Sequence, residues 1–181
     1  GFMAVDEMIR RHGFSPYRAR FQSLIAEGRF GTEKVLAMKP LTYMNRSGAA
    51  VGEALRFYKA EPADVVVFHD ELDLVPGKLR MKLDGGNAGH NGLRSIDAHI
   101  GTAYRRCRLG IGHPGDKDLV LTWVLHDFAK ADAAWLEPLL GAIGEAAPLL
   151  AAGNDAAFAS KVALLLQPPK PKPPVPASGD A

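Results

Sequence analysis

Residues 65–68 read Val-Val-Val-Phe, an apolar run with Pro62 and Asp64 before it and His69-Asp-Glu-Leu-Asp73 after it. So short a run between turn signals is expected to be a strand buried on both faces, which needs helices packed on either side of its sheet. The flanking sequence supplies them. In Phe2–His12, Phe2, Val5, Met8 and Ile9 fall on one helical face, with Asp6, Glu7, Arg10 and Arg11 largely on the other. Asn45-Arg-Ser-Gly48 offers capping residues for a helix through Ala49–Tyr58. Leu93–Ile100 and Ala156–Leu166 read as further helices, and Lys130–Ala152 as a long one that Pro138 and Pro148 should kink or divide. Phe21–Ala26 and Val35–Met38 are expected to pair as a hairpin across Gly28–Gly31. Leu79–Leu83 alternates as a half-exposed strand, and Tyr104–Ile111 is another. Strands alternating with helices predict an α/β sandwich.

The length of 181 residues suits one domain, expected over residues 1–166. Residues 167–181 form a proline-rich tail with no means of packing. A net charge of +2 means that any nucleic-acid site must come from local clustering of charge. The single cysteine, Cys107, excludes an internal disulfide and fits a reducing compartment. No apolar run approaches the length that spans a bilayer. The first helix opens at Gly1, with neither Met nor a capping residue before it, and we expect from this that an upstream segment is absent.

Three segments carry residues suited to chemistry. His69-Asp-Glu-Leu-Asp73 follows the buried strand, where ligands bind in open α/β sheets. Its carboxylates and histidine invite a metal reading, but no second ligand cluster stands at recognisable spacing, so no metal is expected. Glu71 and Asp73 are expected to be solvated turn residues, leaving Asp70 to point inward. Gly85-Gly-Asn-Ala-Gly-His-Asn-Gly92 is either a tight strand-to-helix turn or a loop that presents backbone N–H groups, with His90 a core or capping group and Asn91 able to orient a water or carbonyl. Lys39-Pro-Leu-Thr-Tyr-Met-Asn-Arg-Ser-Gly48 reads as a turn and helix cap, or as a polar platform built on Tyr43, Met44 and Asn45. Basic residues gather at Lys78, Arg80 and Lys82 and at Arg105, Arg106 and Arg108. They form either a solvated strand face or a rim for a phosphate backbone. A metal-dependent hydrolase using His69, Asp70, Glu71 and His90, and a non-catalytic RNA-binding module, are the rival readings of these residues.

These segments, with Arg108-Leu-Gly-Ile-Gly-His-Pro-Gly115, resemble bacterial-type peptidyl-tRNA hydrolase in order and approximate spacing, and Val124–Phe128 looks like that family's later lid segment. The resemblance runs from Gly1 to about Leu166. It implies a monomeric, cytoplasmic esterase that cleaves the ester between peptide and tRNA, recycling tRNA released prematurely from ribosomes. It also implies a cofactor-free, three-layer αβα sandwich around a mixed, mostly parallel sheet. By match to the motifs, Asn45 and Asn91 would hold the substrate and the attacking water. Tyr43, Met44 and His90 would line the substrate site, and Asp70 would hydrogen-bond the catalytic histidine. Arg80, Lys82 and Arg108 would face the tRNA. The family's general base is a histidine in His-Asn-x-Gly-Phe, of which Gly1-Phe2 match the last two residues. None of His12, His69, His90, His99, His113 or His126 matches it. Asparagine cannot accept a proton at neutral pH, and an isolated Asp with a pKa of about 3.9 is a weak base, so residues 1–181 alone are expected to be nearly inactive.

Overall fold

The computed structural model describes residues 1–171, so most of the expected 167–181 tail lies outside the described residues. In chain order the elements are α1 (Phe2–His12), β1 (Arg18–Arg20), β2 (Ser23–Phe30), β3 (Glu33–Pro40), a 3₁₀ turn (Met44–Arg46) and α2 (Ser47–Tyr58). There follow β4 (Val66–Glu71), β5 (Leu79–Leu83), α3 (Asn91–Ile100), β6 (Arg105–Gly110), α4 (Val120–Leu125), α5 (Ala133–Ala146), α6 (Pro148–Ala151) and α7 (Asp155–Leu165). The central sheet has the order β4-β6-β5, with β6 parallel to β4 and antiparallel to β5. The second sheet, β1-β2-β3, is antiparallel throughout.

Side-chain alternation along β4 and β6 divides the core in two. Phe68, Cys107, Leu109, Leu79 and Met81 face a cluster formed with Met8 of α1, Leu139 and Ile143 of α5, and Phe158 and Val162 of α7. On the opposite face Val67 packs with Val51 of α2, Leu93 and Ile96 of α3, and Tyr104. Helices therefore cover both faces, as the buried apolar run required, and the three-layer αβα arrangement follows. No helix among the described residues is long and apolar enough to cross a membrane.

Several expectations shift. β4 is half-buried and stands at the edge of its sheet, paired with β6 alone among the described residues, and His69, Asp70 and Glu71 belong to the strand itself. The expected hairpin is β2–β3 and turns at Gly31-Thr32, while Gly28 lies inside β2, where a Cβ would overlap the Phe14 ring. Neither Asn45 nor Ser47 caps α2; the Ser47 hydroxyl donates to the Met44 carbonyl (2.9 Å) instead. Pro138 does not divide α5. Its missing N–H frees the carbonyl of Ala134, an exposed residue, while Leu139, Ala142, Ile143 and Ala146 keep one continuous buried stripe. Pro148 does open a separate helix, α6.

Helices α2 and α3 touch where Gly48 N–H donates to Ser95 Oγ (2.9 Å), and a Cβ on Gly48 would overlap the Ser95 carbonyl. That obstacle is helix backbone and cannot swing aside. Gly48→Ala is therefore expected to destabilise the protein by about 1–3 kcal/mol in urea denaturation. A loss below about 0.5 kcal/mol, the range of a neutral surface change, would show that the helices do not meet here.

Candidate active site

Asp70 lies near the C-terminal end of β4, paired in register with Leu109 of β6. Its Oδ1 accepts a hydrogen bond from His90 Nε2 (3.1 Å). The other ring nitrogen of His90 is also engaged: Nδ1 accepts the Leu93 backbone N–H (3.2 Å) and caps the N-terminus of α3. These two partners determine the state of the ring. The carboxylate requires a proton on Nε2, and the amide donor requires a lone pair on Nδ1. Both ring nitrogens of His90 are thus engaged by protein partners, Nε2 by Asp70 and Nδ1 by the helix cap. Burial works against ionisation of Asp70, but the hydrogen bond and charge interaction with His90, a backbone hydrogen bond and the nearby N-terminal ammonium together outweigh it and hold the carboxyl below its ordinary range. Among the described residues no side chain donates to Oδ2.

His69, one residue earlier on β4, is only 6% exposed. Its Nδ1 donates to the Asp70 carbonyl (2.8 Å), and its ring stands edge-on to His90 with centroids 5.3 Å apart. Burial pushes this imidazole down to about 4, more than the Asp70 carbonyl bond can offset. In the unfolded chain the same group protonates near 6.5. Protons therefore bind the unfolded chain first as the pH falls from about 6.5 to 4, and stability is lost across that window. The interval from 6.5 to about 4 corresponds to about 3 kcal/mol. Urea denaturation at pH 7 and pH 4 should show wild type losing about 3 kcal/mol more than His69→Gln. An equal loss in both proteins would remove His69 as the cause.

The glycine-rich segment is held in place by a network that the sequence does not advertise. Gly85 (φ 104°) and Gly89 (φ 80°) lie in the left-handed region that favours glycine. Arg106, 1% exposed, donates to the carbonyls of Gly85 (2.7 Å) and Gly86 (2.6 Å) and to Asp97 Oδ1 (3.2 Å). Asp97 also accepts Tyr104 Oη (2.8 Å) and Asn87 Nδ2 (3.2 Å). A buried arginine, an aspartate on α3 and an asparagine in the loop thus anchor the turn that delivers His90 and Asn91. Arg106, expected on either a solvated strand face or a basic rim, is interior.

The other predicted residues fall as follows. Asn91 is exposed and opens α3. Tyr43 (83% exposed), Met44 and Asn45 stand at the 3₁₀ turn that packs on α3, and a Cβ on Gly92 would lie 2.7 Å from Met44 Sδ. The first and third motifs therefore meet around the start of α3. Arg80 and Lys82 are exposed on β5, with Arg80 opposite Arg108. Arg108 is less free than a rim residue, since its Nε donates to Glu71 Oε2 (3.1 Å). Glu71 is correspondingly not a solvated turn residue: its side chain is 11% exposed and also accepts the Asp73 N–H (3.2 Å). Arg105 pairs with Asp155 (2.7 Å). In the expected lid region, Trp123 Nε1 donates to the Gly112 carbonyl (3.0 Å), while Leu121, Leu125 and Phe128 are exposed.

An αβα sandwich with a carboxylate–imidazole pair at a strand end, next to a glycine-rich turn and to Asn91 at the start of α3, defines a hydrolase-like α/β protein. The peptidyl-tRNA hydrolase sequence profile matches residues 1–170. A peptidyl-tRNA hydrolase of Parvibaculum lavamentivorans is 65% identical over 175 residues, covering 96% of this chain and 85% of that protein. One from Cereibacter sphaeroides is 63% identical over 172 residues, covering 95% and 76%. Among solved structures, peptidyl-tRNA hydrolase from Acinetobacter baumannii superposes with a TM-score of 0.84 at 33% identity, covering 89% of this chain and 83% of that one. A peptidyl-tRNA hydrolase complex with N-propanol gives the same score and identity. This chain belongs to the peptidyl-tRNA hydrolase family. The matches span nearly all of it and lend no support to the expectation that a catalytic segment is absent.

Proposed function

We propose that this protein hydrolyses peptidyl-tRNA in the cytoplasm as a monomer, releasing free peptide and free tRNA, with Asp70 at the centre of the site. The observation that carries the reading is the engagement of Asp70. One carboxylate oxygen is held by His90, whose other nitrogen is spent on the helix cap, and no side chain among the described residues donates to the second oxygen. Hydrolysis needs a base for the attacking water and donors for the oxyanion that forms on the ester carbonyl. The base is a histidine whose N–H is received by Asp70, which orients the ring and stabilises the imidazolium. The side-chain amides of Asn45 and Asn91 hold the water and donate to the carbonyl oxygen. The proton taken from water passes to the ribose oxygen as the ester C–O bond breaks. Tyr43 and Met44 offer an apolar wall for the 3′-terminal nucleotide or the peptide, with His90 behind them. Arg80, Lys82 and Arg108 lie toward the tRNA backbone and bind it through charge.

Because His90 is occupied, we assign the base to the histidine of the His-Asn-x-Gly-Phe motif that Gly1-Phe2 match. Turnover of a defined peptidyl-tRNA is to be measured for residues 1–181 and for the same chain with His-Asn-x placed before Gly1. The extended chain is expected to be faster by about 10²–10⁴-fold. Equal rates would locate the base within residues 1–181 and overturn this assignment.

A further inference from the structure

We propose that His69 is a positioning residue for hydrolysis, acting through Asp70 and His90 without touching substrate. The proposal rests on the reading that Asp70 serves peptidyl-tRNA cleavage. His69 sits on β4 with its ring turned away from solvent, opposite Arg108 in the β4–β6 register. The groups that face it are Asp70 and Glu71 on its own strand, Arg108 on β6 and His90 at the start of α3. No carboxylate among these hydrogen-bonds its ring.

Three observations meet on this side chain. First, Nδ1 bonds to a carbonyl oxygen, which can only accept, so the proton of the ring sits on Nδ1. Second, this bond grips the main chain of Asp70 while His90 grips its side chain, so the carboxylate is pinned at both ends. Third, the His69 ring stands edge-on to His90 at 76°, against the imidazole whose orientation decides whether Nε2 meets Asp70 and Nδ1 meets Leu93. Rotation of His90 would break both of its bonds together.

A ring that merely filled space would not need these nitrogens. His69 Nε2 is buried and has no partner among the described residues, an arrangement that destabilises the fold. Phenylalanine would fill the same volume without an orphaned acceptor. Histidine differs from phenylalanine here in the Nδ1 donor that it places on the Asp70 main chain.

The test compares His69→Phe, which keeps the ring and loses both nitrogens, with His69→Asn, which keeps a donor close to the Nδ1 position. Each is made in whichever of the two chains above is the more active, beside Asp70→Asn. His69→Phe is expected to lower kcat by about 10–100-fold, the scale of an ångström-sized misplacement, with KM changed by less than about threefold. It should also shift the acid limb of the kcat/KM profile to lower pH, because a displaced carboxylate no longer favours the protonated base. His69→Asn should recover at least part of kcat. Unchanged kcat and pH profile in both variants, or losses that follow Tm alone, would overturn the proposal. If Asp70→Asn is itself without effect, the reading of the site fails; if only the His69 variants are without effect, this inference fails alone.

Imidazole nitrogen NMR covers the case in which His69→Phe does not fold. It should report Nε2–H for His90 and Nδ1–H for His69 in wild type. His90 should show averaged ring nitrogens in His69→Asn. A His90 tautomer unchanged by that substitution would also count against the proposal.

Discussion

Asp70→Asn is expected to lower turnover of peptidyl-tRNA by about 10²–10⁴-fold while leaving tRNA affinity close to wild type. Asparagine has the same shape, and its carbonyl oxygen can still accept the His90 N–H that Oδ1 accepts now. The difference lies at the other terminal atom, where an NH₂ donor replaces a carboxylate oxygen. A donor there opposes the N–H of the base, turns it toward the wrong tautomer and removes the charge that stabilises its protonated form. Single-turnover cleavage and equilibrium binding of uncharged tRNA separate these effects, because Arg80, Lys82 and Arg108 act on the polynucleotide whatever the state of Asp70. Turnover within about threefold of wild type would show that Asp70 is not part of the chemistry. An RNA-binding module without catalysis would show no turnover to lose.

Arg106→Leu should cost about 3–5 kcal/mol of stability, the scale for removing one partner of a buried ion pair. The guanidinium is 1% exposed and satisfies three acceptors, the carbonyls of Gly85 and Gly86 and the Asp97 carboxylate. Leucine fills part of the volume and satisfies none of them. Asp97 then stays buried beside Tyr104 and Asn87 with its charge uncompensated. Urea denaturation of Arg106→Leu, Asp97→Leu and the double variant forms a cycle with a definite expectation. The double variant should be more stable than the sum of the single losses, because neither charge is then stranded. Additive losses would mean that the two side chains are not coupled. Catalysis should suffer as well, since the turn that Arg106 anchors carries His90 and Asn91.

Much of the architecture is written in local sequence. The faces of Phe2–His12 specify α1 because the apolar spacing follows the helical period, and α1 has those bounds. Leu79, Met81 and Leu83 alternate with Arg80 and Lys82, which is the signature of β5. The turn chemistry of Gly85–Gly92 is equally local, since Gly85 and Gly89 supply conformations that other residues adopt at a cost. The motif series around Asn45, Asp70, Asn91 and Arg108 identifies the family, and in the fold Asp70 meets His90 while the turn that carries Asn45 packs on α3.

What the sequence could not determine was partnership. Arg106 and Arg108 carry the same charge two residues apart and look alike on paper, but Arg106 meets Asp97 and the glycine carbonyls in the interior while Arg108 meets Glu71, 37 positions away. Pro138 carries a local instruction to break α5, which the exposure of Ala134 and the continuous stripe from Leu139 to Ala146 override. His90 shows the division most clearly. Its residue type allows a base, a ligand or a cap, and only the simultaneous approach of the Asp70 carboxylate and the Leu93 amide decides among them. Periodicity and turn preference act between neighbours in the chain, so the sequence by itself determined the elements and their order. Burial and protonation depend on groups brought together from distant positions, so the tertiary structure alone decided which charged side chains are interior and which ring nitrogens are occupied.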